Sequence, residues 1–400
     1  MIFVQDAFSF RNLTKHSFFK VLIAFYLMFL YNDTGGKRFL TPLIPDCYVL
    51  CTPAIFIFFC FVKGLPIMTT IQDIADQMGI SKSTVSKALN DAPDISEALR
   101  KQVLETAVAL GYTKLRRYKK STKKVCIIIE KENMRYQEPH HFAYDILVGF
   151  RQMAEPAGFD VEIVPVDIKA QRNQHYDVFM LEHDYIGAFV VGFSLSDPWI
   201  QDFKVSRTPA VLFDNYIVGN PSTAYVGIDN EEGMELAVSY LAGLGHRKIA
   251  YLSSSLGARV LQARHAAFLR SMHQHGLKTS PATIGCSYYL SECMEKHLPR
   301  FLENGITAII CNQDTLASAT LTQCQQLGFQ IPDDISIIGF DDLPIAACTS
   351  PPLTTIRQDR LELGKSGFFA LSSLLNHIPI STYLLHAQLI QRESTGKVSL

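Results

Sequence analysis

The stretch TIQDIADQMGISKSTVSKALN, residues 70–90, decides how this 400-residue chain reads. Ile71, Ile74, Ala75 and Met78 fall at i, i+3, i+4 and i+7, one face of a helix. Thr70 stands at the N-cap, and Asp73 three residues on completes a capping box. Gly79 ends the helix, because glycine accepts the left-handed backbone of a tight turn. Ile80 plugs that turn, and Ser81 caps a second helix over 82–89 with Val85, Ala88 and Leu89 inward. A third helix fits 97–109, capped by Ser96 and closed by Gly111. The spacing says more than the helices do. Ala75 is small and lets the second helix approach; glycine four positions on makes the turn; Val85, six further, packs back. This is the pattern of a helix-turn-helix. The outer face of the second helix is then Lys82, Ser83, Thr84, Ser86 and Lys87, short polar and basic side chains suited to a major groove. Ser81, Thr84 and Ser86, with Thr70, are placed for phosphates, which position a protein without specifying sequence. The bland alternative is a helical hairpin with a solvated polar face.

Charge favours the DNA reading locally and not globally. The chain carries a net charge of -1, so it is no polycation. Residues 68–124 hold 11 Lys and Arg against 6 Asp and Glu, a net of +5. Seven of those bases lie in 114–124, among them Arg116 and Arg117, with no acid between them. A basic run just behind such a unit fits DNA phosphates, whereas alone it would read as a solvated linker.

The first 67 residues do not match the rest. They hold 12 of the 26 Phe and two apolar runs, Val21 to Tyr31 and Tyr48 to Val62. At 11 and 15 residues, both are shorter than the roughly 18–20 a spanning helix needs. A membrane anchor, an export signal and an interaction segment are alternatives. The expectation is a hydrophobic extension outside the fold, translated upstream of a true start at Met68, because an ordered-looking helix begins two residues after it. Nine Cys show no CxxC pair and no zinc spacing, so reduced thiols of a cytoplasmic protein are expected. No metal and no cofactor are expected.

From Val125 the pattern changes to α/β. Short β-branched strands at 125–130, 161–166, 188–191, 210–213, 249–252, 308–311 and 335–340 alternate with helices at 142–157, 231–244, 259–275, 291–303, 314–327 and 360–375. Strands buried on both faces between helices imply parallel sheets. About 275 residues is long for one open sheet, so two lobes with a cleft are expected. Ligands of such sheets bind at the carboxyl ends of strands, which makes Asp214, Gln313, Asp314, Asp341 and Asp342 candidates.

Several blocks in order now carry a resemblance: TIQDIADQMGISKSTVSKALN at 70–90, PAVLFDN at 209–215, VGIDNEEG at 226–233, YLAGLGHRKIAYL at 240–252, ARHAAF at 263–268, CNQDTLA at 311–317, IPDDISIIGFDD at 331–342, PPLTTIRQD at 351–359 and QRESTG at 391–396. Across 68–397 the chain resembles the LacI/GalR family of bacterial transcription regulators, whose sensor looks like the periplasmic sugar-binding proteins. The resemblance implies a small helical reader at 68–112, a basic link at 113–124, and an effector-binding domain at 125–397. Its first lobe would span about 125–229 and 360–387, its second about 230–359 and 388–397. It further implies that Lys82, Ser83 and Lys87 read bases. Arg264 would clamp an effector, Asp341 would contact it, and Gln313 would stand where the family often has Asn. Asp214 matches a first-lobe contact more loosely, and Phe142 would wall the pocket. Asp341 and Asp342 could instead cap a turn, Arg264 could be a surface arginine, and Phe142 could be core. His246, in a helix-to-strand turn, and Cys311, ending a buried strand, read as structural. One departure concerns the link, TKLRRYKKSTKK at 113–124. It is about five residues shorter than the family's hinge, and Leu115 is its only apolar candidate for a minor-groove wedge.

The expected partners are a double-stranded operator, a sugar-like effector and a second copy in a homodimer, without a membrane. The rival is an exported or tethered solute-binding protein, which would need no reader at 70–111. An enzyme ranks last, since no GxSxG, P-loop, HExxH or strand-following GxGxxG occurs and no catalytic residue is expected.

Overall fold

A computed structural model of the chain describes residues 69–112, 123–131, 138, 141–213, 215–254 and 256–398. The two apolar runs, Leu115, Arg116, Arg117 and Asp214 lie outside the described residues. The described residues belong to one compact unit, Thr69–Leu400.

Three helices open it: α1 (Ile71–Met78), α2 (Lys82–Leu89) and α3 (Glu97–Ala109). Each start is set by its own cap, with Thr70, Ser81 and Ser96 accepting from Asp73, Thr84 and Leu99 amides. Gly79 closes α1 at φ +65°, where a side chain would be strained. Ile74, Ala75, Val85, Ala88, Leu89, Val103, Leu104 and Ala107 form its core, every one of them buried.

Two six-stranded sheets follow. The first has the order β11-β5-β4-β3-β1-β2, from β1 (Lys123–Glu130), β2 (Phe159–Val166), β3 (Ala188–Val191), β4 (Ala210–Phe213), β5 (Thr223–Ile228) and β11 (Thr382–Leu385), all parallel. The second has the order β12-β10-β9-β8-β6-β7, from β6 (Ile249–Ser253), β7 (Ile284–Cys286), β8 (Ala308–Cys311), β9 (Ser336–Asp341), β10 (Thr354–Arg357) and β12 (Gln388–Ile390). Only β12 runs antiparallel there. The chain therefore crosses between sheets three times, after β5, after β10 and after β11, which makes two lobes joined by three strands of chain.

Helices cover both faces of each sheet, as parallel strands require. α4 (Phe142–Ala154) packs on the long helix Arg360–Leu375 so closely that a methyl on Gly364 would stand 2.0 Å from the Ile146 carbonyl oxygen, and one on Gly149 2.1 Å from that of Leu361. α5 (Ile168–Asn173), α6 (Tyr176–Glu182) and α7 (Trp199–Asp202) cover the other face of the first sheet. α8 (Asn230–Gly243) and α9 (Arg259–Gln274) lie side by side on the second lobe.

The structure adds elements the sequence reading did not name, β5, β7, β10, β11 and β12 and the helices Ile168–Asn173, Tyr176–Glu182, Trp199–Asp202 and Pro344–Cys348, and it redraws three that were named. The helix expected at 142–157 stops at Ala154, where a turn ending in Gly158 at φ +79° leads into β2 two residues earlier than expected. The helix expected at 291–303 is interrupted: a π-turn at Cys293–His297 precedes Leu298–Glu303, because Pro299 lacks the amide that would continue the ladder. β9 runs one residue further than expected, which sets Asp341 at its carboxyl end.

Candidate nucleic-acid interface and ligand cleft

On the reader, α2 offers Lys82, Ser83 and Lys87 as exposed side chains while Val85, Ala88 and Leu89 hold the helix down. Its amino end is organised by hydroxyls. Ser81 Oγ accepts from the Thr84 amide at 3.0 Å and shares bonds of 2.7 Å with the hydroxyls of Ser83 and Thr84. Thr70 takes part in the capping box with Asp73, whose carboxylate accepts from its amide at 2.6 Å. Those bonds hold the Asp73 carboxyl below the usual range. Ser86 is half-buried, and its carbonyl accepts from Asn90 at 2.7 Å. Lys87 is paired with Asp94, both about half exposed. The pairing pulls the Asp94 carboxyl down.

The cleft is built at the carboxyl ends of the strands. The loop after β3 meets the loop after β6, where the Leu195 amide donates to the Gly257 carbonyl at 2.9 Å. Asn215, just after β4, accepts from the Arg259 amide at 3.4 Å and donates to the Phe193 carbonyl at 2.6 Å. These bonds turn the carboxyl edges of the two sheets toward one another.

Arg264 organises the second-lobe side. It is 4% exposed, on the inner face of α9, with its guanidinium carbon over the Phe340 ring, 3.7 Å from the ring centre. It donates to Asn230 Oδ1 at 2.9 Å, to the Asn312 carbonyl at 2.8 Å and to Asp341 Oδ1 at 3.5 Å. Asp341 also accepts from Gln358 Nε2 at 2.5 Å. Burial nonetheless raises the Asp341 carboxyl above the usual range, outweighing the attraction of Arg264. Asp314 beside it is fully buried, accepting from Thr355 Oγ1 at 2.6 Å and the Leu343 amide at 2.7 Å. Burial first, then repulsion from Asp341, pushes its carboxyl up to about 8. Asp342 turns away, bonded to Arg357 at 2.6 Å and Arg392 at 2.7 Å.

The structure thus brings Arg264 and Asp341 into direct contact and puts Gln313 next to the Asn312 carbonyl that Arg264 holds. Gln313 is half-buried, at the N-cap of the helix Asp314–Gln326, and its side chain makes no capping bond. Phe142 stands on the opposite edge, its ring 5.7 Å from Phe213. Asp145, one turn along α4, pairs with Arg360 at 2.7 Å. Sequence reasoning missed Asn230, Asn312 and Gln358. All three fall in or beside blocks already singled out, but only the fold makes them partners of Arg264 and Asp341. It also missed Tyr288, 80% exposed just after β7, against which Tyr289 stands edge-on at 5.5 Å. His246 and Cys311 are structural in place: His246 bonds Thr307 at 2.9 Å and the Gly396 carbonyl at 3.0 Å, and Cys311 is fully buried. Among the described residues no group of acids, His and Cys could hold a metal, and no helix is long and apolar enough to cross a membrane.

Comparison with known proteins covers both halves. Residues 70–114 match the bacterial regulatory proteins of the lacI family, and residues 238–395 match a periplasmic binding protein-like domain. The HTH-type transcriptional repressor PurR of Aliivibrio salmonicida (strain LFI1238) is 27% identical over 342 residues, 83% of this chain and all of that protein. The repressor CytR of Escherichia coli (strain K12) is 26% identical over 334 residues, 82% of this chain and 96% of that one. Among solved structures, a transcriptional regulator CelR–cellobiose complex superposes with a TM-score of 0.61 at 21% identity, over 82% of this chain and 99% of that one. The lac repressor dimer bound to operator and the anti-inducer ONPF gives 0.57 at 21% identity with the same coverage. With a helix-turn-helix reader, a two-lobed sensor and full-length relatives of one kind, the chain belongs to the LacI family of bacterial transcription regulators.

Proposed function

We propose that the chain is a cytoplasmic repressor that binds a specific operator as a homodimer and is switched by a small hydroxyl-rich effector, a sugar or sugar derivative. The domain division is the one the sequence suggests. A reader spans 68–112, a basic link 113–124 and an effector domain 125–397, with lobes at about 125–229 with 360–387 and about 230–359 with 388–397. Lys82, Ser83 and Lys87 read base edges. Thr70, Ser81, Thr84, Ser86, Arg116 and Arg117 hold phosphates. Arg264, Asp341, Gln313 and Asp214 hold the effector, with Phe142 and Tyr288 as apolar walls.

The observation that carries this reading is the buried Arg264–Asp341–Gln358 cluster at the mouth of the second sheet. Amides, a guanidinium and a carboxyl held toward its neutral form offer donors and acceptors in alternation, which suits hydroxyl groups. Two opposed lobes can close on such a ligand and shift the population that grips DNA. The solved CelR structure contains cellobiose, which supports the class of ligand.

The roles on the reader are tested by substitution. Lys87→Ala should relax sequence preference at one or two base pairs, whereas Lys119→Ala in the basic link should weaken all duplexes about equally. Identical behaviour of the two would overturn the division into base readers and phosphate contacts.

A further inference from the structure

α6 has two apolar faces, and they belong to different bodies. Tyr176 and Met180, one turn apart, are buried in the first lobe with Trp199 and Phe203. Val178 and Leu181 are 5% and 6% exposed, and their neighbours are the core residues of the reader, among them Val103 and Leu104. α3 lies directly against α6. Just beyond α3, Gly111 at φ +78° abuts Arg207, whose guanidinium occupies the space a methyl would need. The Arg207 loop is itself fastened to α6, since the Arg207 and Thr208 amides donate to the Asp177 carboxylate at 3.1 and 3.0 Å. Beside the contact runs a groove of about 440 Å³ lined by Ile95, Arg100 and Leu104 from the reader and Asn173, Gln174 and Glu182 from the lobe.

Two further facts bear on what the contact does. Lys82, Ser83 and Lys87 remain exposed in the docked arrangement, so the contact does not mask the base-reading face. And the stretch TKLRRYKKSTKK at 113–124 offers no pattern for a folded hinge that could pass a signal.

We propose that the seam between α3 and α6 fastens each reader to its first lobe as one rigid body, so that the lobe itself, and not a hinge, carries the state of the cleft to DNA. The inference rests on the regulator reading above and adds its route of coupling. Two readers so fastened in a dimer demand one half-site spacing. Readers on a free basic tether would accept many, because a flexible link of that length lets each find its half-site independently.

Spacing is therefore the test. Duplexes enriched by the full chain from a random pool supply the two half-sites. Inserting two base pairs between them should weaken binding by the unaltered chain about tenfold or more. The variant Val178→Asp with Leu181→Asp places two carboxylates in the seam and should bind both duplexes within about threefold of each other. Trp199 is the only tryptophan, and its ring lies 5.6 Å from Tyr176 and 5.2 Å from Phe179 of α6, so its emission reports whether the lobe is intact. Should that emission shift, the single variant Leu181→Ser takes the double variant's place in the same comparison. An unaltered chain indifferent to spacing overturns the proposal, and so does an intact seam variant that keeps the spacing requirement. Failure to enrich any duplex overturns the regulator reading instead, and this inference falls with it.

Discussion

Replacing Arg264 by Met keeps an unbranched side chain and removes the guanidinium, together with its contact over the Phe340 ring. Three acceptors then lose a donor: Asn230 Oδ1, the Asn312 carbonyl and Asp341 Oδ1. Each neutral acceptor left dry costs about 1 kcal/mol or more. Among the described residues Asp341 is then left with no opposite charge within bonding distance, and Gln358 is the side chain that still donates to it. Its cost has a ceiling, because the group can take up a proton. From the usual carboxylate pKa of about 3.9 to pH 7 that is about 4 kcal/mol. Breaking a buried pair typically costs about 3–5 kcal/mol, and the ceiling places Arg264→Met in the same range. For a domain of this size that is a fall in Tm of about 6–12 °C. The sign with pH follows from the carboxyl. Without Arg264 its folded pKa rises further, so the folded state binds the proton more tightly than the unfolded chain. The penalty is then fully present above the folded pKa and eases as pH falls toward the unfolded value. Between pH 7 and pH 5 the loss should shrink by up to about 2.7 kcal/mol, at about 1.4 per unit. The double variant Arg264→Met with Asp341→Asn should recover most of it, since Asn also tolerates the φ of +109° found at that position. Denaturant unfolding at the two pH values measures all three. A loss under about 1 kcal/mol, or equal losses at both pH values, would refute the reasoning.

Two further outcomes follow from the same geometry. Asp314 is protonated at neutral pH in the folded chain, its carboxyl pushed up to about 8. Raising pH from 5 to 8 should therefore cost stability at about 1.4 kcal/mol per unit from this group alone. Asp314→Asn should flatten that slope by about one proton in unfolding titrations. Lys87 is held by Asp94 in the free reader, and exposed pairs of this kind are weak. Asp94→Asn should free Lys87 and tighten binding to any duplex by about two- to fivefold at low salt in anisotropy titrations. An unchanged affinity would mean that Lys87 stays away from DNA.

The reader was legible because its signals are local. Caps at Thr70, Ser81 and Ser96 and the turn at Gly79 act within four residues, and the structure places every one of them as read. β1, β3, β4, β6, β8 and β9 were legible for a similar reason, as runs buried on both faces have few alternatives, although β5 shares that burial and was still missed. What escaped was set by distant partners. The stretch YDVFMLE is apolar around most of its circumference, so nothing in it says that Val178 and Leu181 serve the reader while Tyr176 and Met180 serve the lobe. β7, β10, β11 and β12, also missed, are only three or four residues long and draw their support from neighbouring strands. Gln358 and Asn312 look like ordinary amides in sequence; their importance comes from Arg264, brought to them across 48 residues or more of chain in one case and through Asp341 in the other.

The central claim is that the chain reads a particular DNA sequence under control of a ligand. Its most direct test is the binding of genomic fragments by the full chain at about 50 and 200 mM salt. The account predicts that a few fragments bind about a thousandfold or more above random DNA, with both affinities falling as salt rises. If no fragment binds better than random DNA at either salt concentration, the account is wrong.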